Sequence, residues 1–131
     1  MSQPRKRSLQ LPLVGHKAPI PLGARVGGLI CSSAIAGKDP CTGALPADAA
    51  QQCANAFTNM KSLLAAGGAS LADVVRLSVT LGDDALRDTV NLHWLACFPD
   101  PDDRPARHIS VQPLQHGMAV QLELMALTQN P

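Results

Sequence analysis

Arg107 lies in Arg104-Pro105-Ala106-Arg107-His108-Ile109-Ser110-Val111, a stretch that reads as a strand. After a break comes a second such stretch, Val120-Gln121-Leu122-Glu123-Leu124. Strand side chains alternate faces, so Arg107 shares one face with Ile109 and Val111, while His108 and Ser110 share the other. An arginine thus sits on the more apolar face of what reads as a core strand. A guanidinium keeps its charge, and away from water it needs an anion, best one that accepts two hydrogen bonds. That anion is either a carboxylate of the chain, such as Glu123, or a carboxylate or phosphate carried by a ligand.

The other reactive residue types are dispersed. The histidines, His16, His93, His108 and His116, show no HxxxH or related metal spacing, and the cysteines, Cys31, Cys41, Cys53 and Cys97, form no CxxC pair. No metal site and no disulfide framework is expected. Cys31 and Cys97 read as small buried packing residues, and Cys41, in a loop, as the thiol open to reaction. His108 faces away from Arg107. His16 and His116 fall in loops, where either suits a proton shuttle, since imidazole titrates in the useful range.

A length of 131 residues gives one domain, residues 1–131, with one core. The net charge is +1, the basic run is confined to Arg5-Lys6-Arg7, and the aromatic residues are Phe57, Trp94 and Phe98. That leaves neither an electrostatic footprint nor a stacking platform for nucleic acid. Pro12 interrupts the short apolar run near the start, which excludes a signal peptide or membrane span there. The chain reads as a soluble cytoplasmic protein.

The elements that must position these residues follow from periodicity and turn chemistry. Ser8 to Leu11 alternates weakly, as an edge strand does. Ala24-Arg25-Val26 and Leu29-Ile30-Cys31-Ser32-Ser33 flank Gly27-Gly28, whose freedom at positive φ predicts a hairpin. Gly37 to Gly43 is a surface loop. Cys53, Phe57, Met60 and Leu64 recur at helical spacing and predict a helix from about Ala47 to Ala65, stopped by Gly67-Gly68. After a turn at Ser70 to Asp73, Val75 to Leu81 alternates as a half-buried strand. Asp83 or Asp84 caps a second helix to about Cys97, with Leu86, Val90 and Trp94 on one face. A proline- and aspartate-rich loop leads into the two closing strands. This order predicts an α+β domain: a mixed or antiparallel sheet with two helices on one face. The other face, carrying Arg76, Ser78 and Thr80 or the alternate set with Val79, is left open, which suggests self-association.

Several pieces, in order, resemble one family. They are Arg25-Val26-Gly27, Ser33 at the end of its strand, Asp39-Pro40-Cys41-Thr42-Gly43 and the run Ala65 to Val75 through Gly67-Gly68. Val90-Asn91, Arg104-Pro105-Ala106-Arg107 and Gln121-Leu122-Glu123 follow. Across nearly its whole length the chain resembles the RidA (YjgF-type) reactive-intermediate enamine/imine deaminases. The resemblance implies a chorismate-mutase-like α+β fold with a mixed sheet, assembled as a homotrimer with sites between subunits. It also implies hydrolysis of small enamine or imine acids, such as 2-aminoacrylate, to 2-keto acids and ammonia without cofactor or metal. An aminomuconate-type enamine is a pathway-specific variant. A trimeric module that binds small carboxylates or keto acids without catalysis is the alternative.

Residue by residue, the resemblance assigns Arg107 to the substrate carboxylate and Ile109, through its backbone, to the substrate and attacking water. Asn91 lies near the cleft, or else bonds a loop backbone. Gln121 stands where the family usually has a water-polarising glutamate, with Glu123 matching a second, structural one. Ile20 replaces a tyrosine beside the cleft, and Ala34, after Ser33, replaces a glycine and narrows backbone access. The implied set is therefore Gln121 and Ile109 for catalysis and Arg107, Asn91, Ile20, Ser33 and Ala34 for substrate. An amide can hold water but cannot take its proton near neutral pH.

Overall fold

The computed structural model describes residues 6–131; residues 1–5, with Arg5 of the basic run, lie outside the described residues. Along the described chain run β1 (Ser8–Leu9), β2 (Gly23–Val26), β3 (Leu29–Ser32), β4 (Ile35–Ala36), α1 (Ala49–Ala66), β5 (Val74–Leu81), α2 (Arg87–Cys97), β6 (Ala106–Val111) and β7 (Val120–Leu127). They form one sheet in the order β1-β2-β3-β7-β5-β6, with β4 also pairing with β7. The β5–β6 pair is parallel, its crossover made by α2, and the other pairs are antiparallel. The sheet is therefore mixed, with both helices on one face, the α+β architecture expected.

The strand of Arg107, expected in the core, is instead the outermost strand: β6 pairs with β5 alone, and its side chains are at most half-buried. Its branched residues read as interior, but β7 takes the centre of the sheet. Ser8 begins a strand as expected, though pairing stops at Leu9. In the β2–β3 hairpin only Gly27 has positive φ, at +59°. One such residue, at the first central position, is the pattern of a II′ turn. Gly28 is required for a different reason, since a Cβ there would stand 2.2 Å from the Thr128 carbonyl.

The core lies between sheet and helices. Cys53, Phe57, Met60 and Leu64 of α1 are all buried, as are Val90 and Trp94 of α2. They meet Leu77, Val79, Leu122 and Leu124 from the inner face of the sheet. The open face carries Arg76, Ser78 and Thr80, the first of the two sets considered, and Val79 points inward. A bulge between Val74 and Arg76 leaves Val75 exposed and breaks the regular alternation. Cys31 and Cys97 are half-buried rather than interior, and Cys31 pairs with exposed Met125 on the open face. The four thiols are free.

One irregularity shapes the site. The register against β7 advances by one residue between the Cys31–Met125 pair of β3 and the Ile35–Leu122 pair of β4. The extra residue is taken up around Ser33 and Ala34, where the Ser32 hydroxyl accepts the Leu124 N–H at 2.9 Å. Such a bulge re-aims side chains. Here it turns Ile35 inward and leaves Ala36 beside Gln121 on the other face.

Candidate active site

The expected site residues fall into two groups. The first is built by α2 and β6. Arg107 Nη1 donates to Asn91 Oδ1 at 2.8 Å, and the guanidinium lies 4.9 Å from the centroid of the Trp94 ring. The ring face attracts the cation without neutralising it. Burial, and then the nearby Arg87 charge, pull the Arg107 pKa below its ordinary value, yet a guanidinium stays charged under any working condition. Among the described residues no carboxylate pairs with it; the one ion pair there is Arg87 with Asp84, 2.9 Å apart. Glu123, the internal partner considered, is exposed and pairs with Ser78 on the opposite face of the sheet. Asn91 bonds the arginine rather than a loop backbone. Ile109 stands two residues on, half-buried on the same face.

Two other arginines show what structural use looks like in this fold. Arg25 donates to the carbonyls of Gly27 at 2.8 Å, Gly67 at 2.6 Å and Asn130, tying the end of α1 to the hairpin. Arg104 donates to Phe98 O at 2.9 Å and Pro99 O at 3.3 Å. Both are bound to backbone oxygens, whereas Arg107 spends a single N–H on one amide among the described residues.

The second group lines a cleft of about 470 Å³. Gln121 forms part of it with Ala34, Ala36, Met118 and the loop that carries Gly15, His16 and Lys17. Lys38 and His116 complete the polar lining. Gln121 Nε2 reaches the Met118 sulfur at 3.4 Å, which leaves Oε1 as acceptor. Ser33 adjoins the cleft through Ala34 and donates its N–H to Leu22 O at 2.8 Å. Ile20 is 45 % exposed; its N–H bonds Ala18 O at 2.7 Å, beside the cleft but not among its walls.

Buried amides of α1 hold these walls, and the sequence reading missed them. Gln52 Nε2 donates to Pro46 O at 2.8 Å and Gly117 O at 3.0 Å, and its Oε1 accepts the Ala119 N–H at 2.8 Å. Asn59 Nδ2 donates to Ala36 O at 3.2 Å and Lys38 O at 2.9 Å, and Asn55 Nδ2 to Gly37 O at 3.1 Å. Lys38 Nζ in turn holds Gly15 O at 2.9 Å. Gln52, Asn55 and Asn59 fall at helical spacing beside the apolar stripe, a signal that could have found them. Helical spacing places Trp94 on the core face of α2 but gives no sign of its contact with the Arg107 guanidinium.

The two groups do not meet within one chain. Arg107 pairs with Leu77, whose side chain is inward, whereas Gln121 pairs with Thr80 on the open face. Residues paired across a ladder share a face, so the sheet separates the arginine from the amide. Among the described residues no group of metal-binding side chains gathers, and no helix is long and apolar enough to cross a membrane.

Comparison with known proteins places this geometry in company. Residues 21–128 match the family model described as Endoribonuclease L-PSP. The chain is 30% identical over 111 residues to the 2-iminobutanoate/2-iminopropanoate deaminase of Escherichia coli K12, covering 83% of this chain and 87% of that protein. It is 31% identical over 118 residues to a RutC family protein of Pyrococcus abyssi, covering 85% and 91%. Among solved structures, RidA of an Antarctic Psychrobacter superposes with a TM-score of 0.84 at 26% identity, over 94% of this chain and all (100%) of that one. The YjgF gene product of E. coli gives 0.83 at 25%, over 95% and 100%.

Proposed function

Because the chain belongs to the RidA (endoribonuclease L-PSP) family, we propose that it hydrolyses small enamine or imine acids to 2-keto acids and ammonia. The observation that carries this reading is the state of Arg107: a cation held in orientation by a neutral amide and a ring face, with no carboxylate of the described chain on it. A 2-imino acid brings the missing carboxylate, which can accept two parallel N–H bonds from the guanidinium.

The site is completed by assembly. We take the functional unit to be a homotrimer in which Arg107, Asn91 and the Ile109 backbone of one protomer face the Gln121 cleft of the next. The open face supports this, with exposed Val26, Leu29, Met125 and Leu127 gathered on neighbouring strands. Enamine tautomerises to imine, the arginine fixes the acid end, and water held by Gln121 Oε1 attacks the imine carbon. Fixing distance and angle supplies much of the rate when the substrate is already reactive. The cleft volume also admits longer acids, the aminomuconate-type enamine included. A ribonuclease reading, which the family description invites, has little support in a chain of net charge +1 with three aromatic residues.

The test follows ammonia release from 2-aminoacrylate generated in the cuvette. Wild type should exceed the uncatalysed rate, and Arg107→Ala should lower kcat/KM at least about tenfold, the worth of a charged hydrogen bond. Equal rates for wild type, variant and buffer would leave the non-catalytic carboxylate-binding module standing.

A further inference from the structure

Resting on the deaminase reading, we infer that His16 is the proton-transfer group of this site, taking over the role that Gln121 cannot fill. Gln121 can orient water but has no basic atom. Among the described residues of the chain no carboxylate lines its cleft; the titratable groups there are His16, His116, Lys17 and Lys38. Ammonium groups near neutral pH are donors only, and Lys38 Nζ is already committed to Gly15 O at 2.9 Å. That bond fixes Gly15, next to His16, and Val14 before it is buried. His16 Nε2 is one of two buried side-chain polar atoms among the described residues with no hydrogen-bond partner in the chain. The His16 ring shares the cleft wall with Gln121 and has no hydrogen bond from Nε2 to keep within the chain, so the imidazole is free to exchange a proton. His116 lines the same cleft but is exposed, on a residue with φ of 61°.

The chemistry balances with the groups named. Water on Gln121 adds its oxygen to the iminium carbon, the C=N electron pair moves to nitrogen, and the His16 imidazole takes the proton that the water loses. The imidazolium returns that proton to the amine of the tetrahedral intermediate. The C–N bond then breaks as C=O forms, and the hydroxyl proton leaves through the freed imidazole to ammonia. One iminium acid and one water become one keto acid and one ammonium ion, and His16 ends as it began.

The experiment measures kcat and KM against pH for the intact protein and for His16→Gln, which keeps bulk and polarity but does not titrate, with His16→Asn as a second variant. Wild type should lose kcat on the acid side as one group protonates. His16→Gln should lower kcat about 10²- to 10⁴-fold, with KM little changed and the acid limb gone. Adding Gln121→Glu to His16→Gln should restore activity with an acid limb in the carboxylate range. Unchanged kcat and acid limb in a folded His16 variant overturn the inference but leave the deaminase reading intact. So does transfer of the loss to His116→Gln. Absence of wild-type turnover overturns both.

Discussion

Arg107 Nη1 stands 2.8 Å from Asn91 Oδ1, and the bond orients the guanidinium without cancelling its charge. Neutrality of the partner is what matters. Asn91→Asp preserves the shape but places a carboxylate where the amide was, so the arginine is neutralised internally and the substrate must compete. KM should rise about tenfold or more, while stability stays level or gains at most about 1 kcal/mol, the worth of a partly exposed pair. Asn91→Ala leaves the cation free but less well aimed and should cost less than the aspartate. Steady-state kinetics and thermal melts on the two variants check the order; alanine being the worse of the two would count against a ligand-binding Arg107.

Gln52 uses all the hydrogen-bonding capacity this fold asks of it, on Pro46, Gly117 and Ala119. Gln52→Leu keeps the volume near constant but strands two carbonyls and an N–H around a site that is 1 % exposed. A buried unpaired group costs about 1–3 kcal/mol, with relaxation recovering part, so a loss of about 3 kcal/mol is expected. For a domain of this size that lowers Tm by about 10 °C. The segment of His116 and Met118 should loosen with it, visible as faster amide exchange at Ala119.

Cys53 supplies a pH dependence with a definite sign. Burial, and then the Asp48 charge, raise its thiol pKa above the ordinary 9.0. The folded state therefore holds the proton more tightly than the unfolded chain. The stabilisation is complete below pH 9.0, where both states keep the proton, and is lost as pH rises from there through the folded pKa. Cys97 behaves in the same sense, by burial, with Lys61 opposing. Denaturant melts across the alkaline range should show wild type losing stability faster than Cys53→Ala. In thiol labelling, exposed Cys41 should react first and Cys53 last.

On the open face, Leu29 pairs with Leu127 and Cys31 with Met125, which sets a strip of exposed apolar side chains along β3 and β7. Met125→Glu puts a charge in the middle of that strip, where burying it against another protomer costs several kcal/mol. The variant should remain folded, since Met125 is 43% exposed in the isolated chain, and should sediment as a monomer with little activity. A variant that sediments as the wild type does would move the proposed interface elsewhere.

Much of this fold could be read from side-chain periodicity, because a stripe or an alternation needs only its own segment. Cys53, Phe57, Met60 and Leu64 fixed the buried face of α1, and the alternation from Arg76 to Thr80 gave the two faces of β5. What could not be read depends on which strands pair. Alternation ranks Arg107 against His108 but does not say that β6 is an edge, nor that Arg107 and Gln121 lie on opposite faces. The bulges at Val75 and at Ser33–Ala34 shift parity by one residue and carry no signature that a single sequence reveals. The resemblance to a family supplied the site residues, but not Gln52 or Asn59, whose work is to hold backbone in place.

The separation of Arg107 from Gln121 by the sheet makes the strongest prediction about assembly. If each site takes its arginine from one protomer and its amide from the next, two inactive variants must be able to repair one another. Arg107→Ala trimers lack every carboxylate clamp, and Gln121→Ala trimers lack every water site. Mixed randomly at equal amounts, an intact site forms where a Gln121→Ala protomer offers its arginine to the cleft of an Arg107→Ala neighbour. In a closed three-fold ring that happens for about a quarter of sites. Refolding the two variants together should therefore return about a quarter of wild-type turnover, while separately refolded samples combined without subunit exchange return none. A site contained in one chain cannot be rescued in this way. Activity in the co-refolded sample no greater than the mean of its two parents would show that the arginine and the amide never share a substrate.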